Sequence, residues 1–97
     1  MKSLRIPEAA RREANLATVW YSERSMQVAR RFADDLLAGF SSAAASPLRY
    51  PTYLHGTRRV LLRRFPYFIV FFDWQDEIYI VAVAHAKRRP GYWKGRM

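Results

Sequence analysis

The chain has 97 residues, 51% of them hydrophobic, no cysteine, and 17 Lys and Arg against 8 Asp and Glu, for a net charge of +9. That length suits one domain spanning 1–97, with a modest core, and the lack of cysteine excludes disulfides and thiolate metal sites. Met1–Glu13 is charged throughout and holds no apolar leader, and the longest apolar runs, Phe65–Phe72 and Ile78–Ala84, are too short to cross a bilayer. A soluble, cytoplasmic protein without a membrane partner is therefore expected.

Lys2–Ile6 reads as a short edge strand. Pro7 fits the first position of a helix, where its missing N–H costs nothing, and Glu8 suits the positive end of the helix dipole. Ala10, Ala14, Ala17 and Tyr21 recur at helical spacing, with Leu16 and Trp20 widening the apolar face. Arg11, Arg12, Glu13 and Glu23 take much of the remaining surface. A second helix is predicted from about Ser25 to Ala45. Its stripe is Ala29, Phe32, Ala33, Leu36, Leu37 and Phe40, with Arg30, Arg31, Asp34 and Asp35 mostly opposite. Gly39 weakens that helix without ending it, and Pro47 ends it. Two amphipathic helices joined by a short turn make a helical hairpin.

Leu48–Gly56 reads as a loop. Thr57–Leu62 is the first strand of the second half, with Val60 and Leu62 on one face and Arg59 and Leu61 on the other. Pro66 interrupts before Tyr67–Trp74, which is rich in the aromatic and β-branched residues that strands favour. Asp73–Glu77 supplies turn residues. Glu77–His85 is apolar on both faces, as a central strand covered on both sides would be. Lys87–Met97 is basic, broken by Pro90 and Gly91. Helices followed by strands indicate an α+β fold, an N-terminal helical hairpin on a small, mainly antiparallel sheet.

The charge is uneven. Residues 1–48 hold seven basic and five acidic side chains, and residues 49–97 hold ten and three. The second half therefore carries most of a positive field that attracts polyanions, although a basic surface also serves solubility. Three features there point to chemistry. Arg58, Arg59, Arg63 and Arg64 have guanidinium forks that match phosphate; on a regular strand Arg59 and Arg63 share one side. The structural alternative pairs them with Asp34 or Asp35. His85, at a strand end, has the right intrinsic pKa for a general acid or base, or is a structural histidine bonded to the backbone. His55, in the loop, is a weaker candidate. Lys87-Arg88-Arg89-Pro90-Gly91-Tyr92-Trp93-Lys94 interleaves cations with aromatics that stack on unpaired bases or, alternatively, pack back on the sheet. No phosphate-binding glycine loop, zinc motif or nucleophile elbow is present. No cofactor or metal is expected, so any phosphodiester cleavage would use side chains and the ribose 2′-OH.

The stretch Arg58–Tyr67, then Ile78–His85, then Arg88-Arg89-Pro90-Gly91-Tyr92-Trp93, preceded by helices carrying Trp20-Tyr21 and Arg31–Leu36, resembles the RelE/ParE toxin superfamily of bacterial type II toxin–antitoxin systems. The resemblance covers nearly the whole chain and rests most on Arg64-Phe65-Pro66-Tyr67 and the ending Ala82–Trp93. It implies a cognate antitoxin whose flexible segment wraps the toxin, forming a toxin–antitoxin hetero-oligomer. It also implies one of two targets: messenger RNA in the ribosome, cut by RelE-like members, or DNA gyrase, poisoned by ParE-like members that are not nucleases. An inactive chain that only binds antitoxin is a third outcome. Read as a ribonuclease, His85, Tyr92 and Arg63 become the catalytic candidates, and Arg59, Arg63, Lys87, Arg88 and Arg89 the RNA- and phosphate-binding ones. The charge and the His85/Tyr92 pair favour messenger RNA cleavage. Against it, arginines stand where some cleaving members carry paired lysines, and an arginine cannot act as a general base.

Overall fold

The computed structural model describes residues 1–97. A short strand, β1 (Ser3–Arg5), leads into α1 (Glu8–Ser22) and α2 (Met26–Ala45), and β2 (Arg58–Leu61), β3 (Tyr67–Trp74) and β4 (Glu77–His85) follow. The α+β arrangement is the one expected. Two details of the expectation change. The sheet, in the order β1-β4-β3-β2, is mixed, because β1 runs parallel to β4 while the other pairs are antiparallel. The first element is also a strand of that sheet rather than the helical hairpin itself.

The helices form for local reasons. Pro7 sits just outside α1 with extended backbone, so the helix begins one residue later than expected. Ser25 caps α2, its side chain accepting a hydrogen bond from Val28 N at 3.2 Å. Phe32, Leu36 and Phe40 of α2 and Ala10 and Ala17 of α1 pack on Val60, Ile69, Phe71, Ile78, Ile80 and Val83 of the sheet. Gly39 permits the close approach: a Cβ there would lie 2.6 Å from Ile69 Cδ1. Three residues expected on the apolar stripes, Leu16, Trp20 and Leu37, instead face outward, with Leu16 63% exposed and Trp20 49% exposed. The inner faces are thus narrower than the sequence suggests, with alanines Ala10 and Ala17 as the buried residues of α1.

Gln75 and Asp76 both have positive φ, 47° and 66°, as a two-residue type I′ hairpin between β3 and β4 requires. Further along, Phe71 pairs with Ile80 but Val70 pairs with Ala82. Val81 is thus an extra residue, a β-bulge that switches which side chains of β4 face the helices. Ile78 and Ile80 point to the helices before it and Val83 after it, while Val81, Ala82 and Ala84 join Phe68 and Val70 on the opposite face. That second face is covered by the C-terminal segment, whose Trp93 is only 1% exposed. Tyr92 and Trp93 therefore pack back on the sheet, and β4 is covered on both faces.

Candidate functional site

The strand β1 is only three residues long and pairs with Glu77, Ile78 and Tyr79. Beyond Tyr79 the outer edge of β4 has no strand beside it. Side chains close it instead. Val83 N donates to Glu13 Oε1 at 3.0 Å, and Val81 O accepts from Arg96 Nη1 at 3.2 Å. Glu13 is the centre of this arrangement. Its carboxylate, 13% exposed, also accepts from Tyr92 Oη at 2.6 Å and from both terminal nitrogens of Arg96 at 2.8 and 3.0 Å, with Arg88 at 3.8 Å. Burial, reinforced by the Glu13 hydrogen bond, pushes the Tyr92 hydroxyl well above its ordinary pKa, so it is a neutral donor. The bond to Glu13 likewise raises Arg96.

Beside this edge runs a groove of about 480 Å³ between α1 and the end of β4, lined by Leu16, Trp20, Tyr21, Tyr67, His85 and Arg88 among others. Its floor is aromatic. Tyr21 and Tyr67 lie 6.4 Å apart, and burial raises the pKa of each hydroxyl. The Tyr67 ring meets His85 edge-on at 4.9 Å.

The residues singled out in the sequence divide between three places. His85 and Arg88 line the groove, and Arg88 stacks on the Tyr92 ring at 3.8 Å. His85 Nδ1 accepts the backbone N–H of Lys87 at 3.0 Å. Lys87 and Arg89 are exposed at the same end of the sheet and make no ion pair. Arg63 and Arg64 reach that end too, because Ala86 N donates to Pro66 O. They are not on a strand: β2 stops at Leu61, and the chain bends through Arg63–Pro66. The alternation expected to align Arg59 with Arg63 therefore fails. Arg59 lies on the far face of the sheet, its guanidinium 4.1 Å from the Tyr53 ring and 5.0 Å from that of Phe68. Arg58 donates to Tyr50 O. None of these arginines pairs with Asp34 or Asp35. His55 sits on a turn with left-handed backbone, against Trp93. No group of three or more His, Cys, Asp or Glu side chains lies close enough to hold a metal ion, and no helix is long and apolar enough to cross a membrane.

Glu13 is the residue sequence reasoning placed on the solvated side. A signal was present, since Glu13 stands three residues after Ala10 and four before Ala17, on the stripe that packs inward.

Residues 4–90 match the family described as the ParE toxin of the type II toxin–antitoxin system parDE. The chain belongs to the ParE toxin family. It is thus the toxin component of a type II toxin–antitoxin system, a family whose members have a cognate antitoxin. A solved chain from the chromosomal ParDE TA system of P. aeruginosa is similar in fold, with a TM-score of 0.77 over 90% of this chain and 98% of that one at 19% identity. No curated protein matches. Within this ParE-family toxin the groove and the basic end of the sheet adjoin, and Glu13 fastens the C-terminal segment beside both.

Proposed function

We propose that this toxin arrests growth by binding and inhibiting DNA gyrase, without cutting RNA itself. The observation that carries the reading is the engagement of Tyr92. Its hydroxyl donates to the buried Glu13 carboxylate at 2.6 Å, and its pKa is raised, so it is a poor proton donor at neutral pH and already serves the fold. Arg59, the expected partner of Arg63 in holding phosphate, lies across the sheet against Tyr53. Membership of the ParE family supports the same target, since ParE-like members of the superfamily poison gyrase. A binding toxin needs exposed aromatic and arginine side chains in place of an acid–base pair, and Trp20, Trp74 and the arginines at the end of the sheet supply them.

One observation favours the second reading, ribosome-dependent messenger RNA cleavage. His85 and Arg88 line one groove, as an acid or base and a phosphate clamp would. Inducing the chain in a bacterial host without antitoxin, with DNA and protein synthesis pulse-labelled together, separates the two. The gyrase reading expects DNA synthesis to fall first with induction of DNA repair, and His85→Ala to arrest growth as well as the parent. Loss of protein synthesis within minutes, with messages cut at codon-phased positions and protection by His85→Ala, would replace it with the nuclease reading.

A further inference from the structure

We infer that the basic end of the sheet, where the turn Arg63–Pro66 meets the segment Ala86–Pro90, binds the sugar–phosphate backbone of duplex DNA without regard to base sequence. The inference deepens the gyrase reading, because duplex DNA is what that enzyme holds, and it is tested on the toxin without gyrase.

The charges of the second half are sorted along the sheet. Of the nine residues Arg63–Pro66 and Ala86–Pro90, five are Lys or Arg and none is acidic. The three acidic residues of that half, Asp73, Asp76 and Glu77, all stand at the opposite end, around the β3–β4 hairpin, where Lys2 and Arg5 pair with two of them. β3 spans eight residues between the two ends, which puts them roughly 23 Å apart at the usual strand rise. That exceeds the screening length of about 8 Å at physiological salt. The basic end therefore keeps a field of its own.

The cations there are also free. Arg63, Arg64, Lys87 and Arg89 are exposed, and none has an ion pair, a side-chain hydrogen bond or an aromatic ring beneath it. The carboxylate beside them, Glu13, is taken up by Val83 N, Tyr92 Oη and Arg96. Ala86 N donates to Pro66 O at 2.8 Å, which ties the two segments into one rim. Guanidinium forks on such a rim match phosphate oxygens.

What surrounds the cations selects the polyanion. Single strands are held by rings on which unpaired bases stack. Here Tyr92 donates to Glu13 and carries Arg88 at 3.8 Å, Trp93 is buried, and Trp20 carries Arg24 at 3.5 Å. A protein is held around an apolar centre, which this rim by itself lacks. Phe65, its one large apolar side chain, turns in against Tyr21 and Phe32. Duplex DNA needs neither feature, since its phosphates supply the affinity.

The test is fluorescence anisotropy of a short labelled DNA duplex titrated with the full chain over a series of salt concentrations. Neutralising about four phosphates gives a slope of about −4 in log K against log salt, the same for two duplexes of unrelated sequence. Arg63→Ala with Arg89→Ala should weaken binding roughly 30-fold at about 0.1 M salt and shallow the slope by about 2. Arg11→Ala with Arg12→Ala removes the same charge from the start of α1, where Arg11 lies near Arg5 and Glu77, and should weaken binding less than about threefold. The salt slope of the parent needs no variant, so a folding failure leaves the result readable. Equal losses from the two pairs would overturn the site. Tighter binding to the single strand of the same length would overturn duplex DNA as the partner. So would poly-L-glutamate that displaces the labelled duplex as readily, charge for charge, as unlabelled duplex does. No binding by the parent at low salt would overturn the inference whole and leave the gyrase reading to the pulse-labelling test. Binding as expected by a toxin that stops protein synthesis first would leave the site standing and remove that reading.

Discussion

The two halves of β4 solve the same problem differently. From Glu77 to Tyr79 the strand has a backbone neighbour on each side, β1 and β3. After the bulge at Val81 it has β3 alone, and its other edge is held by Glu13 and Arg96, which come from α1 and from the C-terminal segment. An unpaired edge is a template for unwanted pairing. Here the first half is protected by a short strand, and the second by two side chains. The difference teaches that backbone pairing closes one half of this edge, while side chains from α1 and the C-terminal segment close the other.

Trp93→Ala should break this comparison most. Its indole is fully buried on Phe68, Val70 and Val81. Loss of a buried tryptophan costs about 3–5 kcal/mol, and urea denaturation should register it. Hydrogen exchange should quicken more at Val81–Ala84 than at Ile78–Ile80; equal acceleration would mean the halves do not differ. Glu13→Ala comes next, since it strips Val83 N, Tyr92 Oη and Arg96 of their acceptor at once. Leaving the partly buried Val83 N and Tyr92 Oη unsatisfied costs about 1–3 kcal/mol, again read from urea denaturation.

A smaller effect should sharpen the picture at high pH. The ordinary tyrosine pKa is about 10, and the folded Tyr92 lies above it. Below pH about 10 both states keep the proton and the stabilisation is complete. Above that the unfolded phenol ionises first, the folded state binds more protons, and stability falls with rising pH until the folded pKa is passed. Tyr92→Phe should cost about 1 kcal/mol at neutral pH and shallow the alkaline decline, as followed by denaturation between neutral and strongly alkaline pH. Tyr21 and Tyr67, raised by burial, preserve part of it. Arg5→Ala should change least. Its pair with Glu77 at 3.0 Å is in solvent on the strand-protected half, and exposed pairs contribute little. A thermal melt indistinguishable from the parent is expected.

Much of the fold was legible because its causes are local. The α2 stripe, the Ser25 cap, the proline stop and the aromatic strands β3 and β4 all act within a few residues. The bulge at Val81 was hidden because Ile78–Ala84 is apolar on both faces, so a change of facing leaves no mark in the pattern. The Arg59–Arg63 alignment failed because β2 ends before Arg63, where the turn into Pro66 begins. Of the residues the sequence singles out, His85 and Arg88 line one groove. Glu13 is not among them, because its partners Val83, Tyr92 and Arg96 lie about 70 or more residues away in the chain. Helical periodicity puts Leu16 and Trp20 on the wider apolar face of α1, and it marks such a face without saying what covers it.

The side-chain closure of β4 also has a consequence for a chain cut short. Arg96 comes after β4 in the chain, and its side chain covers the Val81 carbonyl of that strand. Without that arginine the strand would keep its place in the sheet but lose the partner of one outward carbonyl. A chain that stops before Arg96 would leave that part of the edge open, and an open strand edge is a template for pairing with another chain.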